Sequence, residues 1–190
     1  MATYSMVCHN LPVDIALSII MSEFEQDIKT KLKPVPTEEI VTAFVGTHWL
    51  LNVVKIRKIE SYDDANFFVE TTHKTTGKSS SHLVKFYNAI DTANPEILNG
   101  LSHMLARINE KVKTSVKVPS VIQPVVTDGQ ETPKIDYVFL DNCPVAGGDE
   151  RKVAVRLFSW LAGTTLSRVT PTMLMFVQLG RGIGDVSVAL

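Results

Sequence analysis

Apolar and polar positions change period along this chain, and each change marks an element. Ile15, Ile19, Ile20, Phe24 and Ile28 recur at helical spacing and predict a short amphipathic helix. Lys33-Pro34-Val35-Pro36 breaks that pattern. A second helix opens after Thr37, a capping residue. Glu38 and Glu39 lie in its first turn, where the helix dipole favours acids, and Ile40, Val41, Phe44 and Val45 form its apolar stripe.

Beyond this helix the period shortens to that of strands. Val53–Glu60, Ala65–Thr71 and Ser81–Tyr87 are rich in β-branched and aromatic residues. Ser61-Tyr62-Asp63-Asp64 joins the first two as a polar turn, and His73–Ser80, with Gly77, reads as an exposed hairpin loop. Asn94-Pro95-Glu96 opens the next helix with a capping residue, a proline at the first helical position and an acid near the positive end. Its expected core face is Ile97, Leu98, Leu101, Met104, Leu105 and Ile108. A loop carrying Pro119, Pro124, Gly129 and Pro133 leads to two more strands, Tyr137–Leu140 and Val153–Phe158. Thr170 before Pro171 then starts a last helix through Met173, Leu174, Phe176 and Val177. The pattern predicts an α+β chain: a helical extension over 1–36, a five-stranded unit over 37–163, and a final helical piece over 164–190.

Composition narrows the class. A chain of 190 residues, 45% hydrophobic and 21% charged, is an ordinary globular protein of one domain or two small ones. Its 19 Lys and Arg against 20 Asp and Glu leave a formal charge of −1. That lacks the basic excess of a dedicated nucleic-acid binder, so no nucleic-acid partner is expected. Cys8 and Cys143 stand far apart, and none of His9, His48, His73, His82 or His103 falls in a metal-ligand spacing. Reduced thiols and no metal site are the expectation. Ile15–Met21 is too short an apolar run to span a bilayer. No Lys or Arg precedes Lys29, and the first arginine is Arg57, which speaks against a signal or transit peptide. A cytoplasmic protein without a membrane partner is expected.

Candidate chemistry begins at Lys85. A five-stranded antiparallel sheet with a helix after its third strand is the layout of a protein-kinase-like small lobe, whose third strand carries the lysine that holds the nucleotide phosphates. Here that strand reads Leu83-Val84-Lys85-Phe86. A lone lysine in a strand is otherwise a solvent-facing residue. Three more stretches bear on the choice: Ser61-Tyr62-Asp63-Asp64-Ala65-Asn66-Phe67 with Val69, Val155-Arg156-Leu157 with Leu161-Ala162-Gly163, and the Asn-Pro that opens the helix after Lys85. From about Glu38 to about Gly184 the chain resembles the hydroxylysine kinases, a branch of the aminoglycoside phosphotransferase-like kinases.

The resemblance implies a nucleotide-binding small lobe with its hinge over 37–163, followed by the first helix of a truncated large lobe. It implies that Lys85 contacts the nucleotide phosphates as a compact ammonium on a rigid strand. Ser61, Tyr62 and Asp63 of the polar turn would stand where such kinases have a glycine-rich loop. Backbone N–H groups and the Ser61 hydroxyl would face the phosphates. The alternative for this turn is a plain hairpin connection, with Asp63 or Asp64 bonding its own backbone. Phe158-Ser159-Trp160-Leu161 would be the hinge, with the base read by the Ser159 carbonyl and the Leu161 N–H while Phe158 guards the pocket. The resemblance further implies Mg²⁺ with GTP or ATP, and transfer of the γ-phosphoryl group to the hydroxyl of 5-hydroxylysine or a similar amino alcohol. That acceptor would bind only where a large lobe completes the site.

Other parts of such a kinase are not found. The helix after Lys85 centres its apolar face near Leu101, and Glu96, Asn99 and Glu110 lie away from it. The sequence names no partner for Lys85: Glu96 can be considered, but its place in the first turn fits better a role in compensating the helix dipole. Phosphoryl transfer needs an aspartate to orient the attacking hydroxyl, usually in a His-x-Asp loop, and a second for Mg²⁺. Leu11, Leu50, Thr75, Val84 and Leu105 follow two residues after the histidines, and no Asp-Phe-Gly-like triplet occurs. No catalytic or metal-binding residue is therefore expected in this chain, which stops at Leu190 where the large lobe would begin. Gly180-Arg181-Gly182-Ile183-Gly184-Asp185 follows a helix rather than a strand and is not a dinucleotide fingerprint. Its glycines each weaken a helix by roughly 1 kcal/mol relative to alanine, so a frayed end is expected.

The readings carried forward are a nucleotide-binding lobe of a phosphotransferase, inactive alone, and a non-catalytic, pseudokinase-like interaction module. The second would self-associate through apolar surface exposed near Trp160. An unrelated α+β binding domain stands third. Lys111, Lys113, Lys117 and His103 are expected to be solvated, and Trp49 and Trp160 to pack.

Overall fold

The computed structural model describes residues 24–112, 117–125, 136–163, 170 and 172–189. Most of the predicted first helix lies outside these residues, as do Cys8, His9, Lys113, Gly129, Pro133 and Pro171. The described part of that helix is α1, residues 24–31. It is followed by α2 (Glu38–His48), β1 (Leu51–Ile59), β2 (Ala65–His73), β3 (Ser79–Phe86), α3 (Ala89–Thr92) and α4 (Pro95–Lys111). The rest are β4 (Val121–Ile122), β5 (Val138–Pro144), β6 (Glu150–Ser159) and α5 (Met173–Ala189).

The sheet is antiparallel and six-stranded, one strand more than the sequence pattern predicts. β1, β2, β3 and β6 lie side by side, and β6 carries two short partners on its other edge. β5 pairs along Glu150–Val155 and β4 at Leu157 and Phe158. The unpredicted strand is β4. Two residues show no period, and Pro119 and Pro124 around them read as loop.

Alternation sets the two faces. Ala65, Phe67 and Val69 of β2, Val84 and Phe86 of β3, and Val153, Val155 and Leu157 of β6 point one way. The α2 stripe of Val41, Phe44 and Val45 covers them. Thr37 caps α2 as expected, its hydroxyl accepting from the Ile40 N–H at 3.4 Å. Trp49 closes this core and donates its indole N–H to the Ile122 carbonyl at 2.8 Å, which anchors β4. On the opposite face Tyr87, Tyr137 and Ala154 pack under Leu98 of α4, with Leu101 and Phe139 alongside. With layers on both faces, every residue of β6 from Val153 to Phe158 is buried.

One of those residues is charged. The Arg156 guanidinium is fully buried and donates to Asp136 (3.0 and 2.7 Å), the Tyr87 hydroxyl (3.0 Å), the Leu98 carbonyl (2.7 Å) and the Ser102 hydroxyl (2.5 Å). This network corrects the expected face of α4. The helix is rolled so that Leu98 and Ser102 meet the sheet, which leaves Ile97 47% and Met104 36% exposed. Asn94 stands at the N-cap of α4 without a side-chain bond, so Pro95 and the first-turn acid Glu96 carry the start signal.

Two further differences concern helix ends. α3 is a four-residue helix that periodicity cannot register; the Asn88 side chain caps it by accepting from the Ile90 N–H at 3.0 Å. α5 is capped by Thr172 rather than Thr170. It also continues to Ala189 instead of fraying, because glycine lowers helix propensity without blocking the ladder of hydrogen bonds. Among the described residues no helix is long and apolar enough to cross a membrane.

Residues 29–36 are strapped onto the sheet. Val35 donates to the Pro144 carbonyl, while Lys33 and Lys31 accept from Ala146 and Gly147. A Cβ at Gly147 would sit 3.1 Å from the Lys31 carbonyl oxygen, so a larger residue there would have to push the strap back by a few tenths of an ångström.

Truncating Asp136 to Ala strands the Arg156 charge, and a loss of about 3–5 kcal/mol is expected in denaturant unfolding. A loss under 1 kcal/mol would show that the network is not holding the fold. A second expectation concerns acid. Burial lowers the affinity of His82 and His48 for protons. Below about pH 6.5 the unfolded chain therefore takes up protons that the folded one does not. Stability should fall from there down to the folded-state pKa values, and His48→Gln with His82→Gln should flatten that decline.

Candidate functional site

Val84 and Phe86 bury themselves under α2, and strand alternation therefore turns Lys85 to the α4 side of the sheet. Its direct neighbours across the ladder are Asn66 of β2 and Arg156 of β6. Two cations directly opposite each other repel, so each needs its own anion. Arg156 has Asp136 at 2.7 Å, and Lys85 has Asp64 at 2.5 Å. The Tyr87 ring lies between them, 4.9 Å from the Lys85 ammonium and 5.3 Å from the guanidinium carbon. Burial pushes the Tyr87 phenol up, against the opposing pull of Arg156.

The partner of Lys85 is thus an acid of the β1–β2 turn. Glu96, considered from the sequence, is an exposed residue of the first turn of α4. A search along the helix could not find Asp64, because the pair forms only when the turn folds back beside β3.

Asn88 organises that turn. Its N–H donates to the second Asp64 carboxylate oxygen at 2.9 Å, and its side-chain amide donates to the Asp63 carbonyl (3.1 Å) and the Lys29 carbonyl (2.8 Å). Lys33, from the strap, donates its ammonium to the Ser61 carbonyl and to the Tyr62 carbonyl at 2.9 Å. The carbonyls of residues 61–63 are therefore tied down. Their N–H groups have no partner among the described residues. The Asp64 carboxylate bonds Asn88 and Lys85 rather than its own turn backbone. One carboxylate oxygen of Asp63 and the amide oxygen of Asn66 are buried without a hydrogen-bond partner among the described residues.

A cleft of about 640 Å³ lies along the turn, lined by Lys33, Lys58, Ile59, Glu60, Ser61, Tyr62 and Asp64. Lys85 does not line it. Asp91 of α3 completes the charge around Lys85. Its carboxyl is pushed up mainly by burial and next by Asp64, with Lys29 opposing.

The expected hinge residues lie at the other end of β3. Phe158 is buried opposite Leu83, on the same face as Arg156 and Lys85. Ser159 donates its N–H to the Ser120 carbonyl (2.8 Å), and its hydroxyl accepts from the Ser120 N–H (2.9 Å). Trp160 donates its N–H to the Ser81 carbonyl and packs edge-on to Phe68 at 4.7 Å. Leu161 is partly exposed, and its N–H has no partner among the described residues. Phe68, Leu83, Phe158 and Trp160 thus form an apolar patch that runs along one face toward Lys85.

The fold is compatible with a kinase-like lobe, and the comparisons with known proteins point in the same direction. No family model and no solved structure matches the chain. Curated relatives include the hydroxylysine kinase of Xenopus laevis, 24% identical over 149 residues, and that of Mus musculus, 25% identical over 160. These matches cover 78% and 83% of this chain but 37% and 39% of the relatives, so the chain spans under two fifths of their length. They support a distant, kinase-like relationship.

Asn88→Ala should release the turn, the strap and the α3 cap together. A stability loss of roughly 2 kcal/mol is expected, with faster amide exchange at the strap contacts of Val35, Ala146 and Gly147 and at Thr92 and Ala93 of α3. Unchanged exchange there would mean that Asn88 does not hold the strap.

Proposed function

We propose that this chain is the nucleotide-binding lobe of a kinase-like phosphotransferase. The observation that carries the reading is the placement of Lys85, on the third strand and on one face with Phe158, in a chain whose curated relatives are hydroxylysine kinases. In this reading the base lies against the patch of Phe68, Leu83, Phe158 and Trp160. The Ser159 carbonyl and the Leu161 N–H read its edge, and the phosphates reach Lys85 and the N–H groups of Ser61, Tyr62 and Asp63.

Among the described residues no group of three or more His, Cys, Asp or Glu side chains could hold a metal ion. Mg²⁺ therefore enters this reading with the nucleotide, and no step is routed through a metal held by the lobe. The whole reaction would carry the γ-phosphoryl group of GTP or ATP to the hydroxyl of 5-hydroxylysine or a similar amino alcohol. Orientation of that hydroxyl belongs to a large lobe, and this chain alone is expected to be inactive. A cytoplasmic setting goes with such a role.

One observation favours a second reading, an interaction module. Along α5, Phe176, Leu179 and Ile183 recur on one stripe at 52%, 48% and 59% exposure. Such a stripe is a binding surface in search of a partner. Self-association would appear as a sedimentation coefficient that rises with concentration and returns to the monomer value in Phe176→Ser/Ile183→Ser.

The reading of a nucleotide lobe is tested by calorimetric titration with Mg·GTP and Mg·ATP, on the natural chain and on Lys85→Ala. The expected result is binding that Lys85→Ala weakens by about tenfold or more, as for the loss of a charged hydrogen-bonding partner. Equal binding by both proteins would remove the phosphates from the third strand.

A further inference from the structure

We propose that the Asp64–Lys85 ion pair is an autoinhibitory latch, which holds the third-strand ammonium away from phosphate until an incoming nucleotide displaces the carboxylate. The inference rests on the reading above, that Lys85 meets nucleotide phosphates.

In such kinases the acid that orients this lysine stands on the following helix. Asp64 instead belongs to the turn that would cradle the phosphates, and it sits directly on the ammonium at 2.5 Å. Its other oxygen accepts the Asn88 N–H at 2.9 Å, so the carboxylate is held in this position from both ends. Its side chain is only 15% exposed and that of Lys85 27%, which limits how far solvent screens the pair.

The surroundings add to the effect. Burial first, then Asp64 and Asp63, push the Asp91 carboxyl up, and Lys29 and Lys85 are the cations that oppose them. Lys29 is itself engaged by Glu25 at 3.0 Å. A phosphate approaching Lys85 therefore meets a region in which carboxylates outnumber unengaged ammonium groups. Its charge is accommodated only when Asp64 gives way. The ammonium meanwhile rests over the Tyr87 ring, which gives it a second favourable contact in the latched state.

The test measures binding of inorganic tripolyphosphate and of Mg·GTP and Mg·ATP, by calorimetry, to the full chain and to three variants. Asp64→Asn keeps the oxygen that accepts from Asn88 and removes the charge. Asp64→Glu keeps the charge, and Lys85→Ala removes the cation. The expected result is that Asp64→Asn tightens tripolyphosphate and nucleotide binding by about tenfold, Asp64→Glu does not, and Lys85→Ala loses it. Binding that appears only in Asp64→Asn would support the latch equally. Weaker binding in Asp64→Asn, with an unchanged melting temperature, would overturn the latch and make Asp64 a positioning residue, while the nucleotide reading survives. Binding that Lys85→Ala leaves intact, or none in any variant, overturns both.

Discussion

A guanidinium with no exposure to water constrains everything around it. Arg156 sits on β6 with both faces of that strand covered, so its donors have to be met by protein acceptors. They are met by Asp136 before β5, Tyr87 after β3, and Leu98 and Ser102 on α4. Each partner thereby fixes an element: the entry to β5, the exit from β3, and the roll of α4. With α4 seated over this end of the sheet, the opposite end of the same face is left for Phe68, Leu83 and Phe158. The place of a possible ligand thus follows from where a buried charge finds its acceptors.

The same network separates what the residues disclose locally from what they do not. β1, β2, β3, β5 and β6 follow from runs of β-branched and aromatic residues, and α2 from Thr37, its first-turn acids and its stripe. Lys85 could be oriented from its neighbours alone, because Val84 and Phe86 demand the core. The roll of α4 was not legible: a helical wheel counts Ile97 and Met104 as core and gives no weight to Ser102, whose partner is 54 residues away. α3 and β4 are shorter than any period. Asp64 was visible as a motif residue but not as the partner of Lys85. Lys33 and Lys29 gave no signal, because the Lys33 ammonium meets backbone carbonyls, and the Lys29 carbonyl meets the Asn88 amide, far along the chain.

Around Lys85 the turn is preorganised on one side only. Lys33 and Asn88 fix its carbonyls, which turns flexible backbone into a defined set of N–H directions at no further ordering cost on binding. The ammonium is committed to Asp64. The turn is therefore ready for an anion while the lysine beside it is not, and these two properties come from different residues and can be altered separately.

The strap of residues 29–36 has a kinetic consequence. It leaves the ribosome early, yet the groups it must meet, the Asn88 amide and the backbone of Pro144, Ala146 and Gly147, are made much later. Closing these long loops carries an entropic cost that local helices avoid, and such contacts form late in folding. The sheet must therefore assemble around β6 before the strap can dock. The turn that the strap steadies, although encoded between two adjacent strands, therefore depends for its final form on residues made much later.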